Sequence, residues 1–95
     1  MILHKFVDSP YDTLTLQQSI SRVNASDGVL LLENAVYVLQ SSSLMETILC
    51  TGAKVYVIED DMLARGISSH HSKISLINYA QFVQLTLEYQ QVISW

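Results

Sequence analysis

Lys54 to Ile67 reads KVYVIEDDMLARGI, and these fourteen residues decide the fold. Val55, Tyr56, Val57 and Ile58 form an unbroken run of apolar β-formers, the pattern of a strand covered on both faces. Glu59, Asp60 and Asp61 stand where such a strand ends and a helix begins. Asp60 is expected to cap a short helix over Asp61 to Arg65, with Gly66 as its C-terminal glycine. Strand, acidic turn, helix and stop in so short a span is one unit of an α/β fold. In open α/β sheets, ligands gather at the carboxyl edge of the strands, so the three acids are candidates for chemistry.

Outward from this unit the same alternation recurs. Ile2 to Val7 reads as an opening strand. Ser9, Pro10 and Asp12 then give a helix start, with a capping hydroxyl, a proline at the first helical position and an acid at the third. Leu16, Ile20 and Val23 fall on one helical face. Ser26, Asp27 and Gly28 form a turn before a second apolar strand, Val29 to Leu32. Val36 to Leu39 reads as a helical turn or a short strand. Ser43 with Glu46 resembles a capping box for a helix to Cys50, stopped by Thr51 and Gly52. Beyond the opening segment, Ser68 to Lys73 is polar loop and Ile74 to Ile77 a fourth strand. Asn78 with Gln81 forms another capping box, opening a helix that carries Phe82, Leu85 and Tyr89 on one face. The order implies an α/β fold, a small mostly parallel sheet of about four strands with helices on both faces.

The 95 residues make a single domain spanning positions 1–95. A chain of 10.7 kDa buries roughly 10,000 Å² on folding, enough for a modest core. Charged residues are 15% of the sequence, against about 25% in ordinary globular domains. A small protein needs more polar surface than average, so apolar side chains must reach the outside, as they do at subunit interfaces. The formal net charge is −4, and Lys5, Arg22, Lys54, Arg65 and Lys73 are scattered. Direct binding of nucleic acid, which depends on clustered cations, is not expected. The lone cysteine excludes an intrachain disulfide and suits a reducing compartment. No apolar run has the length of a membrane span, and the first residues lack a signal peptide's features. A cytoplasmic protein with no membrane association is expected.

Cys50 is the one available nucleophile. A sulfur carrier needs an exposed, acidified thiol, whereas Cys50 falls near a helix C-terminus, where the dipole disfavours thiolate. A partly buried packing role is the expectation. Glu59, Asp60 and Asp61 could hold Mg²⁺ or a phosphoryl group only with acids from another strand end, and Glu33 is the one candidate. Helix starting explains the three acids more simply. His70 and His71 are adjacent, so their side chains diverge on regular structure, and both are expected in a solvent-exposed loop. His4 is expected to be a hydrogen-bonded packing residue. No nucleophile elbow or phosphate-binding glycine loop appears, and no cofactor or metal is expected. Tyr79, Phe82, Tyr89, Val92, Ile93 and Trp95 concentrate apolar area near the end of the sequence. Of these, Tyr79, Phe82, Tyr89, Val92 and Trp95 are the candidate interface residues.

Leu3-His4, Ser9-Pro10, Val29 to Leu32 and KVYVIEDDMLARGI stand in an order that resembles the TusB/DsrH family. Ile77-Asn78-Tyr79, Phe82-Val83, Leu85-Thr86 and Trp95 extend the resemblance over essentially the whole chain. It implies a DsrE/DsrF/DsrH-like fold and a cytoplasmic, non-catalytic subunit of a sulfur relay. The implied partners are TusC-like and TusD-like subunits in a heterohexamer, and through them a TusE-like sulfur acceptor. The implied role is 2-thiolation of the tRNA wobble uridine, with the sulfur-carrying cysteine on the TusD-type subunit. Where some sulfur-oxidation DsrH relatives carry a cysteine in the first helix, this chain has Ser19, and an alcohol holds no persulfide. A persulfide carried on Cys50 is the alternative. A second departure is Asn34-Ala35 in place of Asp-Gly, which bears on that loop's shape because alanine resists the left-handed conformation.

Overall fold

The computed structural model describes residues 1–68 and 70–95. The polar loop expected from Ser68 to Lys73 includes residue 69, which lies outside the described residues. The strands are β1 (Ile2–Phe6), β2 (Gly28–Leu31), β3 (Lys54–Ile58), β4 (Ile74–Ile77) and β5 (Gln91–Ser94). The α-helices are α1 (Thr15–Ser19), α2 (Ser42–Leu49), α3 (Glu59–Ala64) and α4 (Tyr79–Glu88). All strands are parallel, in the order β4-β3-β2-β1-β5. The fifth strand goes beyond the four expected. It follows α4 and returns across the whole sheet to pair with β1, Leu3 opposite Val92 and His4 opposite Ile93.

This strand order sets how the layers divide. From β1 to β4 each crossover steps in the same direction, and right-handed connections place those helices on one face. The step from β4 back to β5 runs the other way, so α4 lies on the opposite face. The packing agrees. Phe6, Val29, Leu31, Val55 and Val57 face the larger core with Leu16, Val36, Met45, Ile48 and Met62. Leu3, Leu30, Leu32 and Ile58 point the other way, with Leu85 of α4. Successive residues of β2 thus serve opposite cores, which is why the strand reads as continuously apolar.

Several local expectations shift. Ser9 and Pro10 begin a turn and not a helix: the Ser9 hydroxyl accepts the Tyr11 amide, and its carbonyl accepts those of Asp12 and Thr13. The helix starts only at Thr15. Leu16, Ile20 and Val23 are buried as their spacing requires. Val36 to Leu39 belongs to an eight-residue 3-10 helix, Glu33–Gln40. Ser41, two residues before the expected Ser43, caps α2 by accepting the Leu44 amide at 3.3 Å. Helix α3 begins at Glu59, with Ile58 at its cap position and no side-chain cap, so Asp60 does not cap it. Gly66 closes it at φ +74°, a conformation other residues resist. The Asn78–Gln81 capping box forms in both directions, at 2.7 and 2.8 Å. In the departing loop the left-handed residue is neither Asn34 nor Ala35 but Glu33, at φ +51°.

Candidate functional site

At the carboxyl edge of the sheet, Asp61 joins three elements. One carboxylate oxygen accepts the amide of Glu33 and the phenol of Tyr79, each at 2.7 Å. Arg65 reaches from α3 to the Asn34 side chain at 2.9 Å and to the Asp61 carbonyl at 3.0 Å. The Tyr79 phenol is pushed up to about 12, first by its bond to Asp61 and then by burial. The Glu33 amide explains how a non-glycine residue holds a left-handed conformation there. Asp61 is thus a clamp between the β2 loop, α3 and α4, while Glu59 and Asp60 face solvent. Among the described residues no group of three or more His, Cys, Asp or Glu converges on a metal site.

Cys50 follows the last residue of α2, as expected, but it is exposed and not a partly buried packing residue. Ile48 takes the fully buried position and turns Cys50 outward. The thiol lines an open cavity of about 470 Å³ with an apolar wall of Leu39, Met45 and Leu49 and a rim of Glu46, His70, His71 and Lys73. The histidines are exposed, as expected for a loop, yet both face this cavity. The cation sharing the cavity is Lys73, whereas Lys54 lines a groove elsewhere.

Helix α4 carries apolar residues on two sides. Phe82, Leu85 and Tyr89 pack toward the smaller core. Lys5 lies 5.8 Å over the Phe82 ring. Burial, then a hydrogen bond with Tyr56, pushes the Tyr89 phenol upward. On the outer side Tyr79, Val83 and Leu87 are 43%, 60% and 75% exposed, at i, i+4 and i+8. Glu88 is the helix's sole charged residue. Val92, 40% exposed, lies on the same side of the sheet in edge strand β5. The expected interface residues therefore separate: Tyr79 and Val92 are outside, while Phe82 and Tyr89 are half-buried. Val83 and Leu87, not among the expected interface residues, complete the outer stripe. Their signal was the i, i+4 spacing from Tyr79.

Trp95 docks on its own chain. Its amide donates to the Lys5 carbonyl at 2.9 Å, extending the β1–β5 ladder. Its ring sits beside Phe6, with the Arg22 guanidinium 5.5 Å over it. The indole N–H donates to His4 Nδ1 at 3.0 Å, and His4 Nε2 lies 3.0 Å from Asp27 Oδ2. His4 is thus the hydrogen-bonded packing residue expected. Burial alone would raise the Asp27 carboxyl, but the Asn24 amide, the His4 imidazole and the Ile2 amide together hold it below its ordinary value.

This architecture has counterparts among known proteins. A family model described as "DsrH like protein" matches residues 8–92. Protein TusB of Buchnera aphidicola is 34% identical over 96 aligned positions, covering 99% of this chain and all of that one. Protein TusB of Yersinia enterocolitica is 37% identical over 89, covering 92% and 93%. The solution structure of protein Tm0979 from Thermotoga maritima superposes with a TM-score of 0.66 at 33% identity, covering 95% of each chain. The crystal structure of the ychN protein from E. coli shares the fold, with a TM-score of 0.75 at 16% identity over 99% of this chain and 97% of that one. By its sequence, over nearly its full length, the chain belongs to the DsrH-like family.

Proposed function

We propose that this chain is a non-catalytic subunit of a cytoplasmic, TusBCD-like sulfur-relay complex that supports 2-thiolation of the tRNA wobble uridine. Its role is to complete an oligomer with TusC-like and TusD-like subunits and to position a cysteine that a sister subunit carries for delivery to a TusE-like acceptor. Family membership supplies the context, and the outer stripe of α4 carries the reading. An uncharged row of Tyr79, Val83 and Leu87 beside Val92 is the surface of a subunit, because burying such side chains against a partner removes apolar area from water. Purely parallel sheets are normally covered on both faces, and one helix covers this face. Phe82 and Tyr89 support the same surface from beneath, whereas Trp95 packs on the opposite face beside Phe6. Co-expression with TusC-like and TusD-like partners, followed by sizing and native mass spectrometry, tests the proposal. A heteromeric assembly is expected, and elution of the chain alone as a monomer refutes it.

One observation favours a second reading, a persulfide-carrying subunit using Cys50. The thiol is exposed in a cavity that His70, His71 and Lys73 also line. Against it stands the negative end of the α2 dipole. Persulfide labelling of the assembled complex with and without Cys50→Ser separates the two readings. Unchanged labelling and unchanged thiolation in cells exclude Cys50.

A further inference from the structure

His4 and Asp27 are 1% and 3% exposed, and no proposed role of the chain uses them. Their protonation states follow from geometry. An indole N–H can only donate, so His4 Nδ1, 3.0 Å from Trp95 Nε1, must present a lone pair. The proton of the neutral ring is then on Nε2, where it donates to Asp27 Oδ2 at 3.0 Å. The His4 and Trp95 rings have centroids 6.1 Å apart and planes only 6° apart, so the N–H···N bond runs near the plane of both. The amides of Ile2 and Asn24 also donate to the Asp27 carboxylate, each at 3.0 Å.

We propose that the Asp27–His4–Trp95 chain is a proton-operated latch: neutral His4 holds the Trp95 ring against the sheet, and protonated His4 releases it.

A proton added at Nδ1 places two N–H groups face to face across the present hydrogen bond. The indole then has no acceptor and must move. The charged groups facing the pair act in opposite senses. Asp27, at the turn before β2, attracts the imidazolium and keeps His4 in place. Arg22, on the 3-10 turn after α1, lies over the Trp95 ring and opposes a second cation beside it. Lys5, the next residue in β1, points to the other face over Phe82. Asp27 also lines an open groove of about 320 Å³ with Lys54, Tyr56, Glu88 and Tyr89, so the carboxylate end of the pair borders solvent. The sign is the reverse of an ordinary histidine–carboxylate contact. Acid strengthens the bond to Asp27 and breaks the bond to Trp95, so one ring stays while the other leaves. The β1–β5 ladder, made by backbone groups, persists.

Trp95 is the sole tryptophan, so its fluorescence reports the latch directly. Acidifying the protein, as far as the fold is retained, should shift emission reversibly to the red. Far-UV circular dichroism should stay unchanged. The shift should vanish in His4→Gln, which cannot take up the proton. Nitrogen NMR of the unsubstituted protein supplies a reading independent of that variant's folding. At the alkaline end His4 should carry its proton on Nε2, and the Trp95 indole proton should be protected from exchange until the ring titrates. A proton on Nδ1 at the alkaline end, emission that ignores pH, or an acid shift that persists in folded His4→Gln would each overturn the latch.

Discussion

The Tyr79 phenol donates to the Asp61 carboxylate at 2.7 Å, tying the first turn of α4 to the first turn of α3. Because the bond requires the phenol proton, it sets the alkaline limit of this contact. The Tyr79 value rises from 10.0 to about 12 on folding. Its stabilisation is therefore complete below pH 10 and disappears as pH rises through about 12. Tyr79→Phe should flatten that part of the stability–pH curve and cost about 1 kcal/mol near neutrality, a typical net hydrogen bond. Urea titrations at neutral and alkaline pH measure both effects.

Glu33 predicts a gain instead of a loss. Its left-handed backbone costs a non-glycine residue about 1–2 kcal/mol, while glycine adds roughly 0.5–1 kcal/mol of chain entropy. Glu33→Gly should be neutral or stabilising by up to about 1.5 kcal/mol. Glu33→Val should be clearly destabilising, since a β-branched residue tolerates that region worst. Melting temperatures of the two variants test the ordering, and a less stable glycine variant contradicts it.

Asp27 should resist even isosteric replacement. Its two oxygens accept from Ile2, Asn24 and His4, and asparagine would turn one of those acceptors into a donor. Asp27→Asn should cost about 1–3 kcal/mol for each buried donor left without an acceptor. Because the folded carboxyl lies below its ordinary value of 3.8, its contribution is present above that pH and is lost as pH falls through the lowered value. Acid denaturation of the parent protein and the variant, compared by circular dichroism, should converge only in that acid range.

Gly28 faces Tyr89 at close range. A Cβ on Gly28 would stand 2.4 Å from the Tyr89 hydroxyl and 3.2 Å from Leu3 Cδ1. Gly28→Ala should cost about 1–2 kcal/mol through overpacking. In a Tyr89→Ala background the same change should cost less, and the double-mutant cycle measures the coupling.

The outer side of α4 makes the opposite kind of prediction. Leu87→Lys should leave stability within about 0.5 kcal/mol, as exposed substitutions do. It should nevertheless abolish co-purification with the TusC-like and TusD-like partners. Retained assembly would move the proposed interface elsewhere.

What could be read from the sequence was whatever local pattern controls. The apolar runs of β2, β3 and β4, the Asn78–Gln81 box, the Gly66 stop and the inward row of α4 all depend on neighbours a few residues away. What escaped depends on remote pairing. Strand β5 is four residues long and finds its partner in β1, almost the whole sequence away. Asp27 looks like a turn residue until His4 and Ile2 close on it from 23 and 25 positions earlier. Three consecutive serines, Ser41 to Ser43, stand at the start of α2 as similar candidates, and Ser41 is the one that caps it. The exposure of Cys50 escaped because a helix-end position does not say which way the last turn faces. The left-handed residue of the loop, Glu33, escaped because Asp61, on another element, supplies the acceptor that holds it.

The pairing of β5 with β1 also has a consequence for how the molecule comes into being. Strands β1 to β4 can be laid side by side in the order in which translation delivers them, each crossover closing a short loop. The other edge of β1 must wait until α4 has been made and β5 follows it. Closing so long a loop costs more entropy than any earlier step, and contacts this distant in sequence slow folding. During synthesis, therefore, β1 shows an open strand edge longer than any other strand does, and a nascent chain is most exposed to wrong pairing there.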